Sequence, residues 1–217
     1  MIEQGLSLDQ LSISHADGRG LVQLSADIAP GEVLSLMGPS GVGKSTILAA
    51  ITGTLSPAFH MAGRITLNGR VLNALPPQKR RVGILFQDHL LFPHLSVGQN
   101  VGFGLPPRTP DRAARIQAAL SEIGLDGFEA RDPETLSGGQ RARVALMRML
   151  LAEPDALLLD EPFSRLDVGL RDRMRDLVFT RARAARLPVL LVTHDIADAD
   201  AAGGSVVTLP EKRCSSR

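Results

Sequence analysis

Runs of apolar and β-branched residues, each closed by Gly, Pro or a polar turn, divide the chain into a series of predicted strands. They are LSLDQLSIS (6–14), LVQLSADIA (21–29), EVLSLMG (32–38), GRITLNGRVL (63–72), VGILFQ (82–87), ALLLDE (156–161), PVLLVTH (188–194) and SVVTLP (205–210). The first, second and fourth alternate polar with apolar positions, as half-exposed antiparallel strands do. Those ending at MG, LFQ, LLLDE and LLVTH are nearly all apolar, as strands covered on both faces of a parallel sheet are. Helical patterns lie between them. STILAAITG (45–53) follows the third strand. TPDRAARIQAALSEIG (109–124) takes Thr109 as N-cap, Pro110 in its first turn and Gly124 as its stop, with Ile116, Leu120 and Ile123 along one face. VGLRDRMRDLVFTRARAAR (168–186) sets Leu170, Met174, Leu177 and Val178 on another. From about residue 90 to residue 153 there is no convincing strand, and RARVALMRMLLAEP (141–154) is helical. This segment is expected to be a helical subdomain inserted into an α/β core, and FPHL and FGLPPRTP are turn material within it.

Chemistry-bearing residues fall at the ends of these runs. GPSGVGKST (38–46) fits G-x-x-x-x-G-K-[ST] between a predicted strand and a predicted helix, the context such a phosphate loop requires. The backbone from Gly38, Pro39, Ser40, Gly41 and Val42 to Gly43 would wrap phosphate oxygens, and Lys44 would reach the β- and γ-phosphates. Ser45 would offer its hydroxyl to Mg²⁺, with Thr46 beside it. Asp160 ends the ALLLDE strand, where a carboxylate can assist that Mg²⁺. Glu161 follows as a second carboxylate facing the γ-phosphate; the alternative is a pair of solvated acids entering a loop. His194 in VTHD becomes a γ-phosphate contact if the carboxyl ends of the strands face the ligand, and is otherwise an exposed or structural histidine. Gln87 in ILFQD is a neutral side chain able to ligate Mg²⁺ or hold a water. LSGGQ (136–140) opens the next helix with small residues, which makes a second anion site because first-turn N–H groups are unpaired. The expected fold class is α/β: a P-loop NTPase core with a mostly parallel sheet, an N-terminal antiparallel β-subdomain and the inserted helices.

Composition narrows the partners. In 217 residues, 44% hydrophobic and 22% charged, there is enough apolar surface for one core-bearing domain, with or without an inserted subdomain. A formal net charge of +1 gives no electrostatic case for nucleic acid. Cys214, the only cysteine, leaves neither a disulfide nor a cysteine metal site, as suits a reducing cytosol. MIEQGLSLDQL lacks the basic start and long apolar run of a signal peptide. No run approaches the roughly 18–20 apolar residues that span a bilayer, so work at a membrane would go through a partner.

A phosphate loop, Gln87, LSGGQ, Asp160-Glu161 and His194, in that order, resemble the ATP-binding subunit of ABC transporters over nearly the whole chain. LSGGQ with its following helix is the most specific mark of that family. The resemblance implies ATP and Mg²⁺ as cofactors and a head-to-tail homodimer with two shared sites. In it, Ser137, Gly138, Gly139 and Gln140 of one chain cap the ATP on the phosphate loop of the other, which explains why one small chain carries two phosphate-binding loops. It also implies roles: Glu161 as the general base that positions the attacking water, His194 as the switch contacting the γ-phosphate, and Lys44 on the phosphates. Ser45, Gln87 and Asp160 would surround Mg²⁺, and Asp167 in SRLD would reach across the dimer interface. Arg165 departs from the pattern, in which the residue before that Leu-Asp is usually small. The adenine site departs too. Family members stack the base on an aromatic residue before the phosphate loop, yet this chain has no Trp or Tyr and every Phe follows that loop. Counting back from PGE at the family's spacing lands on His15, which reads equally as an exposed turn histidine.

FQDHLLFPHLSVGQNVGFGL (86–105) is similar to the corresponding stretch in bacterial importers of the spermidine, iron and thiamine group. There the surface receives a coupling helix from the permease. Leu91, Phe92, Pro93 and Leu95 would serve it here; the alternative is that they pack inside the helical subdomain, and for Leu95 the two readings are equal. The implied partners are a transmembrane permease and, indirectly, a periplasmic solute-binding protein. The implied place is the cytoplasmic face of the bacterial inner membrane, peripherally bound. After His194 only residues 195–217 remain, so residues 1–217 are expected to form a single ATP-binding domain without the regulatory β-domain of many such subunits. An exporter ATPase is the nearest competitor, disfavoured by the importer-like segment.

Overall fold

The alternating strands pair with one another. In the computed structural model, which describes residues 4–88 and 90–210, β1 (Leu6–His15) lies between β2 (Gly20–Ile28) and β4 (Phe59–Leu67), antiparallel to both. Cys214 lies outside the described residues. Leu6, Leu8, Leu11 and Ile13 all enter the same core although their spacing slips by one residue. A β-bulge absorbs the slip: the register shifts between Leu8 and Leu11, and Gln10 adopts a left-handed φ of 48°. The expected strand over 63–72 is in fact two. Leu67 pairs with Arg70 of β5 (Arg70–Val71) across Asn68 and Gly69, whose φ angles are 49° and 76°. An Asn-Gly pair with both residues left-handed is the favoured two-residue hairpin turn, because its twist matches that of the strands it joins.

The apolar strands form a second, wholly parallel sheet in the order β6 (Val82–Leu85), β7 (Ala156–Asp160), β8 (Val189–Val192), β3 (Val33–Met37), β9 (Ser205–Thr208). Ala156, Leu158, Leu190 and Val192 point into the core shared with the antiparallel sheet and α1 (Lys44–Thr52). Leu157, Leu159, Val189 and Leu191 point the other way, into a core shared with α5 (Gly138–Leu150) and α6 (Val168–Ala184). Both faces are covered, so the period of two is invisible in the sequence. Each of these leucines and valines stabilises the fold by about 1.5–3 kcal/mol relative to exposure.

Among the described residues no strand lies between β6 and β7. That stretch holds α3 (Val97–Phe103), α4 (Arg112–Glu122), a 3₁₀ turn at Pro133–Thr135, and α5. Helix α4 starts later than expected. Its N-cap is Asp111, with a left-handed φ of 49° and no side-chain cap, because the Thr109 hydroxyl instead donates to the Pro106 carbonyl at 2.7 Å. Its apolar face is as expected, with Leu120 and Ile123 buried and Ile116 packed on the same core. Two short helices were not legible, α2 (Pro77–Arg80) and α7 (Ile196–Ala202). Arg80 of α2 is buried and donates at 2.8 Å to the carbonyls of Ala50 and Ile51, which caps the negative end of α1.

Register in the parallel sheet brings four chain exits to one edge. Leu85 pairs with Leu159, Asp160 with Val192, and Leu36 with Val192. The loops after β3, β6, β7 and β8 therefore leave the sheet at one level, at its carboxyl edge, where α/β folds bind ligands.

Candidate functional site

The loop after β3 runs from Gly38 to Gly43 and then turns into α1. Gly38 (φ 142°) and Gly43 (φ 109°) both occupy conformations that L side chains rarely adopt. Space forbids a side chain as well: a Cβ at Gly38 would stand 3.0 Å from the Leu209 carbonyl, and one at Gly43 3.0 Å from Val22 Cγ1. Lys44 is nearly buried and crosses back over the loop, donating from Nζ to the carbonyls of Gly38 at 2.6 Å and Pro39 at 2.9 Å. One turn of helix thus braces the loop that precedes it. Ser45, the next residue, donates its hydroxyl to Asp160 Oδ2 at 3.0 Å. Burial pushes the Asp160 carboxyl above its ordinary pKa; the Ser45 hydrogen bond opposes this, and the charge of Glu161 adds to the rise.

Glu161 leaves β7 with a left-handed φ of 47°, and its N–H donates to the Val192 carbonyl at 2.8 Å. That backbone kink turns the carboxylate toward the neighbouring loops. Gln87 Nε2 donates to Oε2 at 3.3 Å, and His194 Nδ1 lies 3.1 Å from Oε1. The sequence-derived residues Ser45, Gln87, Asp160, Glu161 and His194 are therefore brought together, from α1, the end of β7 and the loops that follow β6, β7 and β8. Gln87 and His194 lie just past the ends of β6 and β8 rather than on them.

The loop that carries His194 is held from behind. Thr193 Oγ1 donates to Asp198 Oδ2 at 2.8 Å and accepts from the Asp195 N–H at 3.0 Å. Asp198 is paired with the nearly buried Arg175 of α6, whose Nε donates at 2.7 Å, and Arg171 pairs with Asp195 at 3.1 Å. These positions carry no local pattern that marks them. A basic and an acidic residue on two separate helices become partners only when α6 and α7 pack.

Ser137, Gly138, Gly139 and Gln140 stand apart from this cluster, at the start of α5. Ser137 Oγ accepts from the Gln140 N–H at 3.2 Å while Gln140 Oε1 accepts from the Ser137 N–H at 2.9 Å. This is a capping box, so both side chains are used in building the helix start. Asp167 likewise caps α6, accepting from Leu170 N–H at 3.0 Å.

His15 ends β1 opposite Phe59 in the register with β4, and the rings lie 5.2 Å apart at 44°. An aromatic ring therefore does stand beside His15, although in sequence it follows the phosphate loop. Pairing of β1 with β4 supplies it.

The segment after Gln87 forms one wall of a groove of about 400 Å³, lined by Ile84, Phe86, Leu90, Phe92, Phe103 and Arg148 among others. The expected surface residues are only partly its exposed ones. Leu91 packs on the core, and Leu95 is half-buried. The outward apolar groups are Leu90 (70% exposed), Phe103 (62%) and Phe86 (47%). Asn100, fully buried, shapes this wall by accepting from Phe92 N–H at 2.8 Å and donating to the carbonyls of Phe92, Leu95 and Ser96.

The chain as a whole is similar to known proteins. A family model described as ABC transporter matches residues 21–164. The uncharacterized ABC transporter ATP-binding protein YnjD of Escherichia coli (strain K12) is 48% identical over 198 residues, covering 90% of this chain and 91% of that protein. The thiamine import ATP-binding protein ThiQ of Vibrio vulnificus (strain YJ016) is 43% identical over 184 residues, covering 83% of this chain and 77% of that protein. Among solved structures, a dimeric post-hydrolysis state of the ATP-binding cassette MJ0796 bound to ADP and Pi superposes with a TM-score of 0.80 at 29% identity, covering 94% of each chain.

Proposed function

This chain belongs to the ABC transporter family, and on that premise we propose that its ATP hydrolysis drives solute import across a bacterial inner membrane through a separate permease. The observation that carries the catalytic part is the meeting of Ser45 with Asp160, and of Gln87 and His194 with Glu161, beside a lysine-braced phosphate loop. Among the described residues no helix is long and apolar enough to cross a membrane, so solute would pass through another chain.

ATP would lie with its phosphates in the loop 38–46, held by backbone groups and by Lys44. Its base would lie against His15, backed by Phe59. Glu161 would orient a water in line with the γ-phosphate and accept its proton, with Gln87 and His194 fixing the two carboxylate oxygens. Ser45, Asp160 and Gln87 would supply hydroxyl, carboxylate and amide oxygens, a donor chemistry that suits Mg²⁺, an ion that takes few protein ligands and keeps phosphate and water oxygens. When bound, that ion would neutralise charge on the β- and γ-oxygens; a cation there would also offset the burial that raises the Asp160 pKa.

The site is completed by a second copy. Ser137 and Gly138 would cap the γ-phosphate held by the partner's loop, giving a twofold dimer. Exposed apolar residues flank the segments that would face it: Val168 beside Asp167 is 77% exposed, and Ile196 near His194 is 67% exposed. ATP should then drive dimerisation by mass action, since it binds the closed pair best. Size-exclusion chromatography of Glu161→Gln is expected to show a dimer with ATP and a monomer without it. Adding Ser137→Arg should abolish the shift by filling the γ-phosphate pocket. A monomer peak that never moves, at any workable concentration, would remove the shared site.

The permease would dock by a short helix in the groove beside Phe92, and a periplasmic solute-binding protein would act through that permease, not on this chain. Membrane association at the cytoplasmic face would follow from docking alone. Leu90→Asp, on the exposed rim, should release the chain from permease-containing membranes while basal ATPase stays within about twofold, as surface changes usually allow. Undiminished co-sedimentation of that variant would place docking elsewhere.

A further inference from the structure

Two segments that build the catalytic cluster are joined twice. The inner rung is the Gln87 to Glu161 hydrogen bond, 3.3 Å long. An outer rung lies one residue further along on one side and four on the other: Arg165 pairs with Asp88 at 2.5 Å. The inner bond is at the long end of the hydrogen-bond range and therefore sensitive to small movements of either loop. The loop from Glu161 to Arg165 can transmit a restraint because it is stiff. Ser164 donates from both N–H and hydroxyl to the Glu161 carbonyl, and Phe163 is buried against Phe179. Arg165 also abuts the start of α5, where a Cβ at Gly139 would stand 3.6 Å from its carbonyl oxygen. Asp88 in turn lines the apolar groove. The ion pair thus sits where groove, catalytic loop and α5 meet.

We propose that Arg165 is a positioning residue for ATP hydrolysis: through Asp88 it holds Gln87 against Glu161 from outside the phosphate site. This rests on the proposed role of Glu161. Neither Arg165 nor Asp88 touches the phosphate loop, so their loss should act on kcat and leave KM for ATP unchanged. The pair is exposed, so the expected loss is modest, about two- to fivefold in kcat for Arg165→Ala or Asp88→Ala. Arg165→Lys should keep most of the rate. The exchange of Asp88→Arg with Arg165→Asp should recover to within about twofold of the wild type, and the melting temperatures of the single variants should stay at the wild-type value, which the loss of a purely structural pair would lower. The ratio of wild-type to Arg165→Ala rates should also shrink toward one in about 1 M salt, where screening acts within about 3 Å. Steady-state ATPase assays on the full purified chain measure all of these. Single variants at the wild-type rate, or an exchanged pair no better than its singles combined, overturn the inference alone. A wild-type rate in Glu161→Gln would instead overturn the assignment of the base, and this inference with it.

Discussion

Glu161→Gln is expected to lower ATP turnover by about 10²–10⁴-fold, the usual contribution of a positioned general base. The substitution is nearly isosteric. It keeps an oxygen to accept from Gln87, now 3.3 Å from Oε2, and keeps the backbone bond to the Val192 carbonyl. What it removes is the negative charge and the ability to take a proton from water. ATP affinity should stay within about threefold of the wild type, because the proposed binding rests on the phosphate loop that follows β3, two strands away from β7 in the sheet. Single-turnover hydrolysis and equilibrium binding of a fluorescent ATP analogue separate the two effects. Turnover near the wild-type rate would show that another group takes the proton, and the clasp of Gln87 and His194 on this carboxylate would need a different purpose.

Lys44→Ala should act on binding instead. Its Nζ makes two bonds to the loop it braces, and the same charge would reach the β- and γ-phosphates. Hydrogen bonds to charged groups contribute about 1.5–3 kcal/mol, so ATP affinity should fall by roughly 10- to 150-fold. Losing the brace adds to this, since the loop must then be ordered by the nucleotide. Calorimetric titration of ATP into Lys44→Ala in the Glu161→Gln background avoids turnover and gives the affinity directly. An unchanged Kd would mean that the phosphates are held by the backbone alone.

Local features of the chain were legible wherever their cause is local. The phosphate loop was, because glycines at conformations closed to other residues sit between a strand and a helix, all within GPSGVGKST. The apolar strands were, because burial on both faces leaves no polar position along them. The Asn68-Gly69 turn is equally local: an Asn-Gly pair within GRITLNGRVL is itself a hairpin signal, and it divides the single strand expected over 63–72. Thr109 was a sound cap by type, but its hydroxyl had a nearer acceptor in Pro106, and the helix began at Arg112.

What joins the site was not legible. Gln87 meets Glu161 across 74 residues, His194 meets Glu161 across 33, and Arg165 meets Asp88 across 77. Nothing in the spacing of those residues specifies the pairs. The strand order β6-β7-β8-β3-β9 does, by bringing exits from separate parts of the chain to one edge of one sheet. His15 and Phe59 teach the same lesson on the other sheet: an aromatic neighbour missing before the phosphate loop is supplied after it, by antiparallel register. The sequence alone determined which backbone each segment adopts and which residue types its ends carry, since torsional preference and periodic burial act over a few residues. Tertiary structure decided which of those ends face one another, because strand order and register are set by the packing of all the apolar faces at once.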